Sequence, residues 1–109
     1  MDSIKVATDF YHRLTNRNKK QGDGLHTAEE FRKKYLARCD NKEFWKGNEK
    51  IVFDFKDVTK IGPSFANEAF AYFMKFTNKK VFYSLIKFEN ISKVQKLIIQ
   101  QEIDSGYSK

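Results

Sequence analysis

From Lys50 to Phe55 the chain alternates in the way a pleated strand requires. Ile51, Phe53 and Phe55 fall on one side, and Val52 and Asp54 on the other. The run predicts a buried strand. A short loop follows and closes with Gly62-Pro63, a pair suited to a tight entry into a helix. Beyond it the period changes: Ala66, Ala69, Phe70, Phe73 and Phe76 recur at helical spacing and define one apolar face. Backbone N–H groups at the start of that helix lack intrahelical partners and carry partial positive charge, which suits an anion or a phosphorylated hydroxyl such as Ser64.

The same reading extends along the rest of the chain. Residues 3–9 alternate at Ile4, Val6 and Thr8 and predict a first strand, with Phe10–Leu14 either extending it or forming a second. Residues 15–24 are polar and basic and end in Gly22-Asp23-Gly24, a loop or the tip of a hairpin. Thr27 and Glu30 have capping-box spacing and open a helix whose packed face is Phe31, Tyr35, Leu36 and Cys39. Phe44 and Trp45 pack beneath it, and Gly47-Asn48 turns into the central strand. Residues 77–80 predict a turn and Val81–Phe88 a strand; Ile91, Val94, Leu97, Ile98 and Gln101 or Glu102 trace the face of a last helix, with Ile99 and Ile103 widening its apolar side and Gly106 terminating it. Strands alternating with helices, without an internal repeat, favour one α/β layer with right-handed crossovers.

Composition narrows the functional classes. The 109 residues include eleven Phe, five Tyr, one Trp and a single Pro, enough for one domain with an aromatic core. Cys39 is the only cysteine, so neither an internal disulfide nor a cysteine metal cluster is expected. No apolar run has the length of a signal peptide core or a membrane span, and the default expectation is a cytoplasmic protein with no membrane partner. The net charge of +7 suits an acidic partner. Arg13, Arg17, Lys19 and Lys20 make the one locally one-signed stretch, a candidate contact for an anion or nucleic acid, although no recognition motif accompanies it.

The remaining chemistry is sparse. His12 and His26 lack the cysteine or carboxylate companions of a metal site and read as surface residues. Cys39 reads as packing on a helix face. Asp54, in a buried strand, must bond to a backbone N–H, pair with a cation, or lie at the strand end facing water. Glu68 either favours the helix N-terminus or offers a polar contact to a partner. Phosphate loops, zinc-protease motifs and nucleophile elbows are absent, so no enzyme, cofactor or metal is expected.

Two segments carry a family resemblance. Asp54-Phe55, Val58, Ile61-Gly62-Pro63-Ser64-Phe65-Ala66 and Glu68 resemble the core motif of the STAS-like family catalogued as a domain of unknown function. Asp23-Gly24 with Thr27-Ala28-Glu29-Glu30-Phe31-Arg32 resembles its first helix motif. The resemblance implies a small STAS-like α/β domain: a mixed sheet of about four strands with helices mainly on one face. It also implies a regulatory, signal-transducing protein–protein interaction module of bacterial type. Its partner would engage Gly62, Pro63, Ser64, Phe65, Asn67 and Glu68, together with the helix that begins at Thr27. In related anti-sigma-factor antagonists such partners are kinases of the histidine-kinase ATPase superfamily. They phosphorylate a Ser or Thr at this helix start, within Asp-Ser-Ser or Asp-Ser-Thr followed by Gly. Here Gly62 takes the Asp position, Pro63 the acceptor position and Ser64 the next. Ser64 is therefore either a phosphorylation site or a helix-cap or first-turn serine. A basic nucleic-acid-binding module using residues 13–20 is the alternative.

Overall fold

The computed structural model describes residues 3–17 and 26–108. Its centre is strand β3 (Ile51–Asp54), flanked by β1 (Ile4–Lys5) and β5 (Ile86–Glu89) in the order β1-β3-β5. Both neighbours run parallel to β3, with Ile4 opposite Phe53 and Ile51 opposite Ile86. A separate parallel pair joins β2 (Arg13–Leu14) to β4 (Lys60–Ile61). The described strands are thus all parallel and divided three plus two, where a single mixed sheet of about four was expected. Each pair is linked by a connection that contains a helix, as parallel pairing requires.

Six helices, α1 (Val6–Asp9), α2 (Ala28–Tyr35), α3 (Lys42–Lys46), α4 (Pro63–Ala69), α5 (Lys79–Leu85) and α6 (Lys93–Ser105), complete the described fold. Ile51, Phe53 and Ile86 are buried on one side of the three-stranded sheet, while Lys5, Lys87 and Glu89 on the other are exposed. The alternation read from Lys50 to Phe55 therefore has its cause: one face carries the core. Thr27 caps α2 as expected, its hydroxyl accepting from the Glu30 N–H. Phe31, Leu36 and Cys39 are buried behind it. Asp54 ends β3 and accepts from the Asn90 amide and, secondly, from the Lys56 N–H, which hold its carboxyl below the usual carboxylate range.

Several expected elements take another form. Residues 3–9 are strand only at Ile4–Lys5. The Asp9 carboxylate accepts from the Lys5 N–H and closes the helical turn α1 instead. Leu14 and Arg13 pair with Ile61 and Lys60, and Asn16 bridges Thr27 in parallel, so Phe10–Leu14 supplies a second strand. The Gly22–Gly24 turn and Leu25 lie outside the described residues. The strand expected over Val81–Phe88 begins only at Ile86. Asn78 accepts from the Val81 N–H and starts α5, which buries Phe82 and Leu85 three residues apart. The helix after Pro63 gives way at Phe70 to a 3-10 turn over Ala71–Lys75.

The face expected of the last helix holds at Ile99 and Ile103 and, partly buried, at Ile91 and Ile98, but not at Val94 and Leu97. Gln95, Ile99 and Ile103 are buried, whereas Val94 is 68% and Leu97 52% exposed. Ser92 and Gln95 form a capping box, and the Gln95 amide donates to the Val58 carbonyl at 3.0 Å. This bond turns a polar residue inward and carries the Val94 side out. Gly106, with φ of 83°, ends α6 as expected, in a conformation that costs a side-chain-bearing residue more.

Candidate functional site

Helix α4 is the element on which the sequence placed its site. Gly62 is its N-cap and Pro63 its first residue, where the missing N–H costs nothing. The Gly62 N–H donates to the Leu14 carbonyl at 2.7 Å and ties the helix start to β2. Beyond that point the helix sinks. Phe65, Asn67 and Glu68 are at most 1% exposed, Pro63 is exposed and Ser64 half-buried. The helix has no side-chain cap bond, and Ser64 stands one position past Pro63. It is a first-turn residue rather than a cap.

Asn67 and Glu68 form the hub of a polar network that the sequence did not foretell. Glu68 pairs with Arg17 (3.0 Å) and with Arg32, and accepts from the Tyr107 hydroxyl at 3.0 and 3.2 Å. The Arg32 guanidinium also donates to the Glu68 carbonyl and lies 3.7 Å from the centre of the Tyr72 ring. Asn67 accepts from Arg17 and from the Ser108 N–H, and donates to Glu102 and the Gly106 carbonyl. A carboxylate with no exposure thus meets two cations and a hydroxyl, as burial demands. The network joins the segment before α2, helix α2, helix α4 and the chain after α6.

These placements redistribute the expected contact residues. Phe65, Asn67 and Glu68 are occupied inside the fold, so a partner at this surface would meet Pro63 and Ser64. Of the basic stretch, Arg13 is exposed, but the Arg17 guanidinium turns inward to Asn67 and Glu68 rather than outward to an anion. Lys19 and Lys20 lie outside the described residues. His12 is exposed against the Thr59 hydroxyl, while His26 is half-buried and stacks on Tyr11 at 4.3 Å. One signal for the hub was present in the sequence: Asn67-Glu68 interrupts Phe65-Ala66 and Ala69-Phe70, a helix apolar on every side. Arg17 and Tyr107 carried none, being separated from Glu68 by 51 and 39 residues.

Burial raises the Tyr107 hydroxyl to about 12, helped by its hydrogen bond to Glu68, and raises the Cys39 thiol to about 12. A raised value in the fold means that stability is intact below the unfolded value and is lost as pH rises through the folded one. The windows run from 9.0 to about 12 for Cys39 and from 10.0 to about 12 for Tyr107. The thermal midpoint is therefore expected to fall as pH rises through these windows. Tyr107→Phe should flatten the part of that fall that lies within the tyrosine window.

No described helix is long and apolar enough to cross a membrane. No curated protein and no solved structure matches the chain significantly. A family described as a STAS-like domain of unknown function matches residues 27–96, which include α2, β3, α4, β5 and three members of the network, Arg32, Asn67 and Glu68. With more than half its length inside that match, the chain belongs to this family of STAS-like domains.

Proposed function

We propose that the domain is a non-enzymatic, cytoplasmic regulatory module that binds a signalling protein through the start of α4. The partner class the reading favours is a kinase of the histidine-kinase ATPase superfamily, with Ser64 as the residue it phosphorylates. One observation carries the reading: α4 is held from within by Asn67 and Glu68, and only Pro63 and Ser64 of its seven residues reach the surface. A helix end so anchored presents a fixed surface at little entropic cost on binding. Ser64 makes no cap bond, so its hydroxyl is not required for the helix. A phosphate there adds charge and bulk to the contact and weakens it through desolvation and repulsion.

Incubating the protein with ATP and kinases of that superfamily from the same host, followed by mass spectrometry, tests the modification. A Ser64 phosphopeptide absent from Ser64→Ala is the expected result, and an unmodified peptide under activating conditions overturns it. By calorimetry, Ser64→Glu should weaken kinase binding by about tenfold or more, roughly 1.4 kcal/mol. The same change should leave folding stability within about 0.5 kcal/mol of wild type, as expected of a surface position.

A further inference from the structure

A second surface, apart from the α4 start and independent of the reading above, lies along the edge of the three-stranded sheet. A groove of about 150 Å³ runs between β5 and α6, lined by Tyr83, Ile86, Phe88 and Ile99, with Lys87 and Lys96 among its walls. Ile86, Lys87 and Phe88 are consecutive. Successive side chains of a strand point to opposite faces, so a groove touching all three follows the strand's outer edge. No described strand pairs with β5 on that side. The Glu89 carbonyl accepts from the Phe55 N–H at 2.8 Å, so the backbone groups of Glu89 face β3. Alternation then turns the N–H and C=O of Phe88 outward, toward the groove.

Two further features bear on what the groove takes. The Tyr83 hydroxyl is buried and has no hydrogen-bond partner among the described residues, a state that costs free energy until a ligand supplies one. The charged side chains lining the groove, Lys87 and Lys96, have the same sign. Lysine on a sheet edge discourages two copies of the chain from pairing there, since like charges would meet. The same lysines favour a foreign strand that carries carboxylates.

We propose that the β5 edge binds an extended acidic segment of a partner protein as an added strand. The segment bonds to the Phe88 backbone, places one apolar side chain in the groove and sets its carboxylates against Lys87 and Lys96. The volume holds one aliphatic or aromatic side chain, so recognition is of a single apolar residue between acidic ones.

The probes are two capped peptides in which Val and Leu alternate with Glu in one and with Lys in the other. They are titrated into the isotope-labelled protein and followed by NMR. The Glu peptide is expected to shift and protect the Phe88 amide and to shift the resonances of Tyr83 and Ile99. It should bind about tenfold tighter than the Lys peptide, as two partly exposed ion pairs allow. Lys87→Glu with Lys96→Glu, both exposed positions that leave the core intact, should reverse the preference. Equal affinity for the two peptides, or shifts confined to other surfaces, overturns the proposal. So does light scattering that shows the protein dimerising through these same residues, because a second copy would then occupy the edge.

Discussion

Glu68→Gln is expected to lower the unfolding free energy by about 3–5 kcal/mol, the scale for breaking a buried ion pair from one side. The glutamine keeps the shape of the side chain and removes its charge. Arg17 and Arg32, whose side chains are 14% and 13% exposed, then keep their desolvation without a carboxylate. Such a loss is a large share of the 5–15 kcal/mol that holds an ordinary domain folded. Urea denaturation followed by circular dichroism measures it. The pair differs from a surface salt bridge such as Lys46–Glu43, where both side chains are more than 70% exposed and Glu43→Gln should cost no more than about 1 kcal/mol. Replacing Arg17, Arg32 and Glu68 together by Met, Met and Leu should cost less than Glu68→Gln alone, because no charge is stranded. If Glu68→Gln moves the urea midpoint no more than Glu43→Gln does, the network contributes nothing to stability.

What the sequence disclosed and what it concealed follow from the range of the interactions. Alternation at Ile51, Phe53 and Phe55 and the cap at Thr27 are local and were legible. So was Pro63 at a helix start, because a missing N–H has few tolerated places. Val81–Phe88 is strand only from Ile86; its first half was misread because β-branched and aromatic residues favour strands, and the deciding contact is the Asn78 cap, which also reads as a turn. Ile99 and Ile103 were read on the apolar side of α6, but the outward turn of Val94 and Leu97 was missed because a bond from Gln95 to Val58, 37 residues away, outweighs the apolar count of the stripes. For the candidate site, the helix start at Pro63 could be read, but the division of that helix into a buried hub and a two-residue surface could not. Glu68 finds Arg17 and Tyr107 only after the chain has folded, so spacing along the sequence holds no trace of them. The short β4 strand escaped for a related reason: two residues give no period to detect.

Phe70→Ala is expected to be as damaging as the loss of Glu68, by a different route. Phe70 follows α4 at the break into the 3-10 turn and is fully buried. Its ring centre lies 5.8 Å from that of Phe31 on α2, 6.0 Å from Phe53 on β3, 6.4 Å from Phe82 on α5 and 5.2 Å from Phe88 on β5. Four elements distant in sequence therefore meet on one side chain. Removing it forfeits the transfer free energy of the ring and leaves a cavity that rigid neighbours fill poorly, about 3–5 kcal/mol together. Edge-to-face contacts such as those with Phe31 and Phe88 add about 0.5–1.5 kcal/mol each beyond area burial, which places Phe70 toward the upper end of that range. Phe73→Ala, equally buried but against Trp45 and Tyr72, should fall within the same range. Phe76→Ala provides the contrast. Phe76 stands at the end of the 3-10 turn with its side chain only half-buried, and its removal should cost less than that of Phe70. Val94→Ala, on the outer face of α6, should stay within about 0.5 kcal/mol of wild type. Thermal and urea unfolding of the four variants gives the ordering. A Phe70→Ala midpoint no lower than that of Phe76→Ala would mean that the ring does not join these four elements.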